Sequence, residues 1–383
     1  MRVYLDHNAT SPLRPEARAA MAAALDRPGN ALSVHAEGCA ARAIVEKARR
    51  QVAAATGAEA DEVVFTGGGT EANALALRGA IQAAASAGER VTRLIVSAIE
   101  HDSVRATAAA CEDAFAGVRV VTCPVTGDGV LDLAELKRLL NEGKGRALVS
   151  VMAANNETGV IQPISQAAAL AKAVGARLHC DAVQALGKVP VNIAAMGADY
   201  VSLSAHKAGG PQGVGALIVR QGASLAPQLL GGGQEFGRRA GTHNVAGIAA
   251  FGAAVEAATN ELPTEGRRTA LERGLKNACP QARIMGESVP RLANTVCIAA
   301  PSVPSENMVI ALDLDGFSVS AGAACSSGKV TQSRVLTAMG VEPHVAASAI
   351  RVSFGWDTKD EDLTAFVDAW ARIVARAEAR AAA

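Results

Sequence analysis

The sequence predicts an α/β protein whose main sheet is largely parallel and covered by helices on both faces. Up to about residue 258, short apolar runs alternate with amphipathic helical segments, which is typical of such a sheet. A polar, turn-rich segment then leads to a helix, shorter strands and further helices. We therefore expect a large domain over 14–257 and a smaller α+β domain made of 1–13 and 258–383.

The predicted elements follow from local signals along the chain. Pro12 breaks a first short strand, and Gly57 ends the second helix. A glycine turn at 67–69 separates a buried strand from the helix that starts at Thr70. The predicted helices are 15–25, 40–56, the one from Thr70, 103–114, 132–140 and 267–278. The predicted strands are one from Val3, 63–66, 93–98, 119–123, 147–152, 177–180, one ending at Ser204, 282–285 and 295–299.

Composition and charge argue against several classes of partner. Lys+Arg and Asp+Glu are both 37, and no long basic run occurs, so nucleic acid and anionic membranes are not expected partners. The longest uncharged apolar stretch, 245–255, is too short to span a bilayer. The N-terminus lacks the apolar core and cleavage site of a signal peptide. We expect a cytoplasmic protein whose partner is a small molecule or another protein.

The seven cysteines are scattered and contain no Cys-x-x-Cys pair. This pattern predicts neither a disulfide framework nor a structural zinc site. Six of them lie beside apolar or helical sequence and are interpreted as small core residues. Cys325 differs, because it lies in a run of small residues that is typical of a mobile loop.

The glycine turn at 67–69 is a candidate anion site. A buried strand precedes it, and the helix predicted to start at Thr70 follows it. Free N–H groups and the positive end of a helix favour a phosphate, and Thr70 adds a hydroxyl. The motif is neither a Walker motif nor Gly-x-Gly-x-x-Gly. On its own it is equally consistent with a plain turn between strand and helix.

Polar side chains follow several predicted strands. They are Glu100-His101, Asn155-Asn156-Glu157, Asp181 with Gln184, and Ser204-Ala205-His206-Lys207. Parallel sheets bind ligands at the carboxyl ends of their strands, so we expect these groups to converge. Lys207 would then be desolvated, with a lowered pKa and an amine available for a Schiff base. The alternative for Lys207 is a surface lysine in a turn.

Together these motifs resemble the group I cysteine desulfurases of nitrogen fixation and iron–sulfur cluster assembly, within the class V aminotransferase-like superfamily. The resemblance runs in unbroken order from residue 4 to about 357. It implies a fold type I transferase dependent on pyridoxal phosphate (PLP), usually a homodimer. The motifs that carry it are Tyr4-Leu-Asp-His-Asn-Ala-Thr, Phe65-Thr-Gly-Gly-Gly-Thr-Glu-Ala-Asn, Glu100-His101, Asn155-Asn-Glu-Thr-Gly, His179-Cys-Asp-Ala-Val-Gln, Ser204-Ala-His-Lys, Arg239-Ala-Gly-Thr, Ser320-Ala-Gly-Ala-Ala-Cys and Ile350-Arg351.

The resemblance implies roles around the PLP ring. Lys207 would bond the cofactor and act as the general base, and His101 would stack on the ring. Asp181 would keep the pyridine nitrogen protonated, and Gln184 would contact the phenolic oxygen. The alternatives from the residues alone are a helix N-cap for Asp181 and a structural histidine for His101.

The resemblance also implies groups for the phosphate and the substrate. The phosphate would be held by Gly69, Thr70, Ser204 and His206, and by Thr242 acting on the partner subunit. The substrate carboxylate would be held by Arg351, Asn156 and Asn30, since a guanidinium matches a carboxylate. Thr242 could instead be a loop hydroxyl, and Arg351 could form a salt bridge within a strand.

Cys325 distinguishes the implied reaction. Its thiolate would attack the sulfur of L-cysteine, giving L-alanine and an enzyme persulfide for a sulfur acceptor such as a cluster scaffold protein. No metal site is expected in the protein alone, although Cys325 would be a candidate transient cluster ligand. The thiol could also be an exposed group without function. A related transaminase would not need Cys325, and a scaffold protein without PLP would need none of these residues.

Four positions depart from the family's usual pattern. His7-Asn8, Ala205 and Gln332 replace residues that are more common there. None of them removes a group expected to be catalytic.

Overall fold

The computed structural model describes residues 2–143, 145–301, 303–321 and 332–382. Cys325 lies outside the described residues. The helices are α1 (Pro15–Leu25), α2 (Ala36–Thr56), α3 (Gly69–Ser86), α4 (Asp102–Ala114), α5 (Leu133–Asn141), α6 (Ile164–Ala173), α7 (Ile193–Met196), α8 (Val245–Asn260), α9 (Glu265–Ala278), α10 (Ser305–Leu314), α11 (Arg334–Ala338), α12 (Pro343–Ala346) and α13 (Asp360–Ala382). The strands are β1 (Val3–Tyr4), β2 (Val63–Thr66), β3 (Val91–Ser97), β4 (Arg119–Cys123), β5 (Arg146–Ser150), β6 (Arg177–Asp181), β7 (Tyr200–Ser204), β8 (Gly215–Val219), β9 (Arg283–Ile284), β10 (Thr295–Ala299), β11 (Phe317–Ser318), β12 (Ser320–Ala321) and β13 (Ala349–Ser353).

The larger sheet has seven strands in the order β2-β8-β7-β6-β5-β3-β4. All neighbouring pairs are parallel except those of β8, which is antiparallel to β2 and β7. The mainly parallel sheet predicted from the sequence is confirmed. The antiparallel β8 was not predicted, and it arises because residues 205–214 form a tight connection, whereas a parallel neighbour needs a long crossover.

Both faces of this sheet are buried, as the apolar runs predict. Within β3, Ile95 belongs to one apolar cluster, which includes residues of α2, α5, α6 and α8. Its neighbours Leu94 and Val96 belong to another cluster, which includes residues of α3 and α4. Successive side chains of a strand point to opposite faces, so each face packs against its own layer of helices.

The smaller sheet is antiparallel, with the order β12-β13-β10-β9. Its core includes Phe366 and Trp370 of α13, both fully buried. The first strand of the chain joins this part of the molecule, because β1 pairs in parallel with β11. The smaller α+β part is therefore confirmed, and the domain bounds 14–257, 1–13 and 258–383 stay a prediction.

The N-terminal segment brings distant residues to the edge of the larger sheet. The Ser353 N–H donates to Leu5 O at 2.8 Å, and the His7 N–H donates to Ser353 O at 3.1 Å. These two hydrogen bonds align residues 5–7 with β13, which carries Arg351. Asp6 and Asn8 are thereby placed between the two sheets.

The cysteine prediction needs one correction. Cys111, Cys123, Cys180, Cys279 and Cys297 are buried, but Cys39 is exposed. Cys39 lies on α2, on the side away from the apolar face formed by residues such as Val45 and Val52. Over the described residues, no helix is both long and apolar enough to cross a membrane.

Candidate active site

A cavity of about 300 Å³ lies at the carboxyl ends of the sheet strands, with Arg351 of β13 in its wall. Strands β7, β6, β5 and β3 are neighbours in the sheet, so the polar residues that follow them converge, as expected. The predicted site residues that line this cavity are Gly69, Thr70, His101, Asn156, Asp181, Gln184, Ser204, His206, Lys207 and Arg351.

Lys207 ends a 3₁₀ turn, Ala205–Lys207, that follows β7 directly. Its side chain is half-buried, and its Nζ donates to the carbonyl oxygens of Asn8 and Ala9, each at 2.7 Å. The amine is thus held inside the cavity wall. This placement favours a site residue over a freely solvated surface lysine.

Asp181 is the last residue of β6 and is buried. Its Oδ2 accepts a hydrogen bond from Asn73 Nδ2 at 2.8 Å, and its Oδ1 accepts one from the Val183 N–H at 3.0 Å. Burial raises the pKa of Asp181, while these donors and the charges of His101 and Lys207 oppose the rise. Asp181 therefore caps the following turn and also faces the cavity.

His101 serves as the N-cap of α4 and also lines the cavity. Its Nδ1 accepts the Ser103 N–H at 3.1 Å and lies 2.8 Å from Ser103 Oγ. Because Nδ1 is an acceptor here, the proton of the neutral ring lies on Nε2. Ser103 Oγ also accepts from Asn73 Nδ2 at 2.9 Å, so Asn73 links His101 to Asp181.

Glu100, which precedes the cavity residue His101, is a buried acid. Its Oε1 accepts the Met152 N–H at 2.6 Å, and its Oε2 is buried without a hydrogen-bond partner among the described residues. Burial, with a contribution from the charge of Asp181, raises the pKa of Glu100 well above its ordinary value.

The start of α3, where the anion site is predicted, lies beside Ser204. Gly68 has φ 149°, a conformation that favours glycine. A Cβ at Gly69 would lie 2.8 Å from Val183 Cγ2 and 3.4 Å from Ser204 Cβ, so glycine permits the close approach. Thr70 is exposed at the cavity edge, and the first N–H groups of a helix have no acceptor within it.

His206 also lines the cavity. Burial, with the positive charges of Lys207 and Lys188, lowers the pKa of His206 to about 4. The ring is therefore neutral near pH 7, and its Nδ1 lies 3.2 Å from Thr10 Oγ1.

Arg351 is buried in the middle of β13. Its Nη2 pairs with Asp6 Oδ1 at 2.6 Å, and its Nη1 donates to Asn156 O at 3.0 Å. Its Nε is buried and has no hydrogen-bond partner among the described residues. Arg351 thus forms a salt bridge and also lines the cavity.

Two predicted site residues lie outside the cavity of this single chain. Asn30 is exposed, and its Oδ1 accepts the Leu32 N–H at 3.0 Å within its own loop. Thr242 is also exposed. Their predicted roles stay predictions.

Ser333 and Arg334, which follow Cys325 in the sequence, contact residues that adjoin the cavity residues Asn156 and His101. Ser333 Oγ donates to the buried Glu157 Oε2 at 2.6 Å, and Arg334 pairs with Asp102. Glu157 and Asp102 directly follow Asn156 and His101 in the sequence. Burial raises the pKa of Glu157 to about 7, against the hydrogen bond from Ser333 and the charge of Arg351.

The sequence analysis did not assign roles to Asp6, Asn8, Asn73 and Lys188. Asn73 could have been found from its spacing, since it lies one helical turn after Thr70 on α3. Lys188 follows Gln184 by four residues in the turns after β6. Asp6 and Asn8 gave no such signal, because only the tertiary fold brings them to the cavity.

Comparisons with known proteins agree with this geometry. The aminotransferase class-V family model matches residues 3–366. A cysteine desulfurase of Cereibacter sphaeroides is 45% identical over 367 residues, covering 94% of this chain and 92% of the relative. The cysteine desulfurase IscS of Dictyoglomus turgidum is 39% identical over 378 residues, covering 97% and 94%.

A solved structure of a NifS-like protein superposes with a TM-score of 0.89 at 34% identity, covering 98% of this chain and 100% of that one. The match extends over both sheets and the cavity between them. The chain therefore belongs to the class-V aminotransferase family and, within it, to the cysteine desulfurases.

Proposed function

We propose that this protein converts L-cysteine to L-alanine and leaves the sulfur as a persulfide on Cys325. PLP is the cofactor of the family. The observation that carries the proposal is that Lys207, Asp181 and Arg351 line one cavity. The cavity thus holds an amine, a buried carboxylate and a guanidinium. The amine suits a cofactor that bonds amines, and the guanidinium suits a substrate that carries a carboxylate.

The cavity residues fit PLP. Asp181 offers a buried acceptor for a pyridine nitrogen, and Gln184 offers an amide for a phenolic oxygen. The start of α3 at Gly69, with Ser204, offers donors for a phosphate. When bound, PLP supplies an electron sink for charge that develops on the substrate's α-carbon.

Lys207 is proposed to move the proton at the α-carbon of the substrate. Its half-buried position and its contacts with two carbonyl oxygens place the amine at the cavity wall. His101, with Nε2 as the protonated nitrogen, lines the same cavity and can donate or exchange a proton there.

Arg351 and Asn156 are proposed to orient the substrate carboxylate. The buried Nε of Arg351 lacks a partner among the described residues, which supports a ligand group at this position. The other two guanidinium nitrogens of Arg351 donate to Asp6 and to the carbonyl oxygen of Asn156. We propose that Asn30 completes this site.

Cys325 is proposed to accept the sulfur. Its thiolate attacks the substrate sulfur, an S–S bond forms, and the C–S bond breaks with its electron pair going to carbon. That carbon takes up a proton and becomes the methyl group of alanine. The ion pair between Arg334 and Asp102 supports this role, because it ties the chain that follows Cys325 to the helix capped by His101.

A homodimer is proposed to complete the site through Thr242. The preceding segment exposes Leu229, Leu230 and Phe236, and Phe236 has φ 58°, which is strained for a non-glycine residue. An exposed apolar segment held in a strained conformation is typical of an interface. Sedimentation of the purified protein tests this, since a monomer that turns over cysteine would exclude it.

The sulfur acceptor is proposed to be another protein, such as a cluster assembly scaffold, with Cys325 as a transient cluster ligand. Among the described residues, no group of three or more metal-binding side chains occurs. The expected cytoplasmic location stays a prediction.

Product analysis tests the proposed reaction. The PLP-loaded protein should release alanine from L-cysteine, and sulfide in equal amount when a thiol reductant is present. Cys325→Ala should release neither. Full alanine production by Cys325→Ala would show that Cys325 is not the sulfur acceptor, and a purified protein that cannot bind PLP would exclude the proposed reaction altogether.

A further inference from the structure

A second lysine, Lys188, is buried beside the cavity. It is 6% exposed, and no carboxylate of the described residues lies within ion-pairing distance of it. Its Nζ donates to Asn8 Oδ1 at 2.8 Å and to Gln184 Oε1. Burying a lysine without a counter-charge costs free energy. The pairing of Lys188 with two neutral acceptors therefore calls for an explanation.

The lysine fixes which way the Gln184 amide faces. An amide can present either its oxygen or its NH₂ group to a ligand. Because Lys188 donates to Oε1, the NH₂ group of Gln184 faces the other way, where Nε2 donates to Asn8 O at 2.9 Å. One Nε2 hydrogen is used by Asn8, and the second remains for a ligand in the cavity that Gln184 lines.

The same lysine also fixes the residue that holds Lys207. Asn8 O accepts from both Gln184 Nε2 and Lys207 Nζ, and Lys188 binds the Asn8 side chain. Asn8 Nδ2 in turn donates to Thr295 Oγ1 at 2.9 Å. Lys188 therefore contacts Asn8, whose carbonyl oxygen accepts from the Lys207 amine, and Gln184, which donates to the same oxygen.

Lys188 needs no positive charge to do this. Burial, with the charges of Lys207 and Arg351, lowers its pKa well below the ordinary value. A neutral amine keeps two hydrogens, which is the number that Asn8 Oδ1 and Gln184 Oε1 require. Two hydrogen bonds to neutral acceptors are therefore available to Lys188 in either charge state.

We propose that Lys188 is a positioning residue that locks Gln184 as a hydrogen-bond donor toward the phenolic oxygen of bound PLP. A donor at that oxygen stabilises its anionic form. The inference rests on the proposed PLP site and adds a residue that none of the motif positions assigned.

The test uses the PLP-loaded protein and the pH dependence of its visible absorption band. Lys188→Met keeps the buried length of the side chain and removes the donor. With Gln184 free to turn, the phenolic anion loses a donor, and we expect the midpoint of the spectral transition to rise by about one pH unit. Lys172→Met, at an exposed position on α6, should leave the midpoint unchanged.

A second variant separates positioning from general stability. Gln184→Leu should raise the midpoint by a similar amount, and adding Lys188→Met to it should cause no further shift, since both changes remove one interaction. Lys188→Gln retains a hydrogen-bond donor, so its midpoint should stay close to that of the unmodified protein. These results would support the proposal.

Three results would overturn it. They are an unchanged midpoint in Lys188→Met, a shift that adds fully to that of Gln184→Leu, or unfolded protein for both Lys188→Met and Lys188→Gln. Absence of any visible band in the unmodified protein with PLP would show that the proposed PLP site itself is wrong.

Discussion

Asn73 Nδ2 donates to Asp181 Oδ2 at 2.8 Å, although the two residues are separated by 108 positions in the chain. The same nitrogen donates to Ser103 Oγ, the partner of His101. One amide thus orients the groups proposed to contact the pyridine nitrogen and the ring face.

Asn73→Ala is expected to weaken PLP binding by roughly tenfold or more, because a hydrogen bond to a buried ionisable group contributes about 1.5–3 kcal/mol. Titration of the apoprotein with PLP, followed by visible absorbance, measures the change. Asn141→Ala is the control, since Asn141 is exposed and bonds only within its own helix end. Equal affinity for all three proteins would show that Asn73 does not position Asp181.

Arg351→Lys is expected to raise KM for L-cysteine roughly tenfold or more while PLP remains bound. A lysine cannot hold Asp6, Asn156 O and a substrate carboxylate together as the guanidinium fork can. Steady-state kinetics with a PLP absorbance check measures this. The matched control is Arg283→Lys, at an exposed ion pair with Glu342, and an unchanged KM in Arg351→Lys would exclude the clamp.

Glu157 is expected to make stability fall as pH rises. Its native pKa of about 7 exceeds the ordinary value of 4.5, so the folded state holds the proton more tightly than the unfolded state between these pH values. The free energy of unfolding should drop by about 3 kcal/mol from this group as pH rises from 4.5 to 7.

Glu157→Gln removes the titration and keeps an acceptor for Ser333. We expect its urea unfolding midpoint to exceed that of the unmodified protein above pH 7 and to approach it near pH 4.5. The exposed Glu361→Gln is the control. A parallel pH dependence for Glu157→Gln and the unmodified protein would contradict the assignment.

Glu235 holds the segment that leads to Thr242. Its carboxylate pairs with Arg49 at 2.7 and 2.8 Å and accepts the Phe65 N–H at 2.8 Å. Burial alone would raise its pKa, but Arg49 and His243 outweigh burial and hold it at about 2. Its stabilisation is therefore complete above pH 4.5 and is lost as pH falls toward 2.

Glu235→Gln is expected to destabilise the protein by about 3 kcal/mol near neutral pH, since it leaves Arg49 buried without its counter-charge. Glu46→Gln, which contacts Arg49 from the solvent side, should cost less than about 1 kcal/mol. Urea unfolding measures both. Similar midpoints for the two variants would show that the buried pair does not hold this segment.

Much of the fold could be predicted because strand ends carry strong local signals. The predicted strands 63–66 and 119–123 and the helix 15–25 agree with β2, β4 and α1. The second helix starts at Ala36 rather than 40, because His35 caps it by accepting the Gly38 N–H, and histidine is not among the preferred capping residues.

The candidate site was predictable only in part. Residues that follow strands, such as Asp181 and Lys207, were predicted because parallel strands end at one edge. Their partners Asn8 and Asp6 come from the N-terminal segment, which reaches the cavity through its pairing with β13. Such contacts between distant segments leave no pattern in a single sequence.

The central claim is that Lys207 and Cys325 act in one reaction. The most direct measurement is mass spectrometry of the Cys325 peptide after the PLP-loaded protein is incubated with L-cysteine and then alkylated. We predict one added sulfur on this peptide in the unmodified protein and none in Lys207→Ala. A peptide without added sulfur in the unmodified protein, or equal sulfur in Lys207→Ala, would contradict the account.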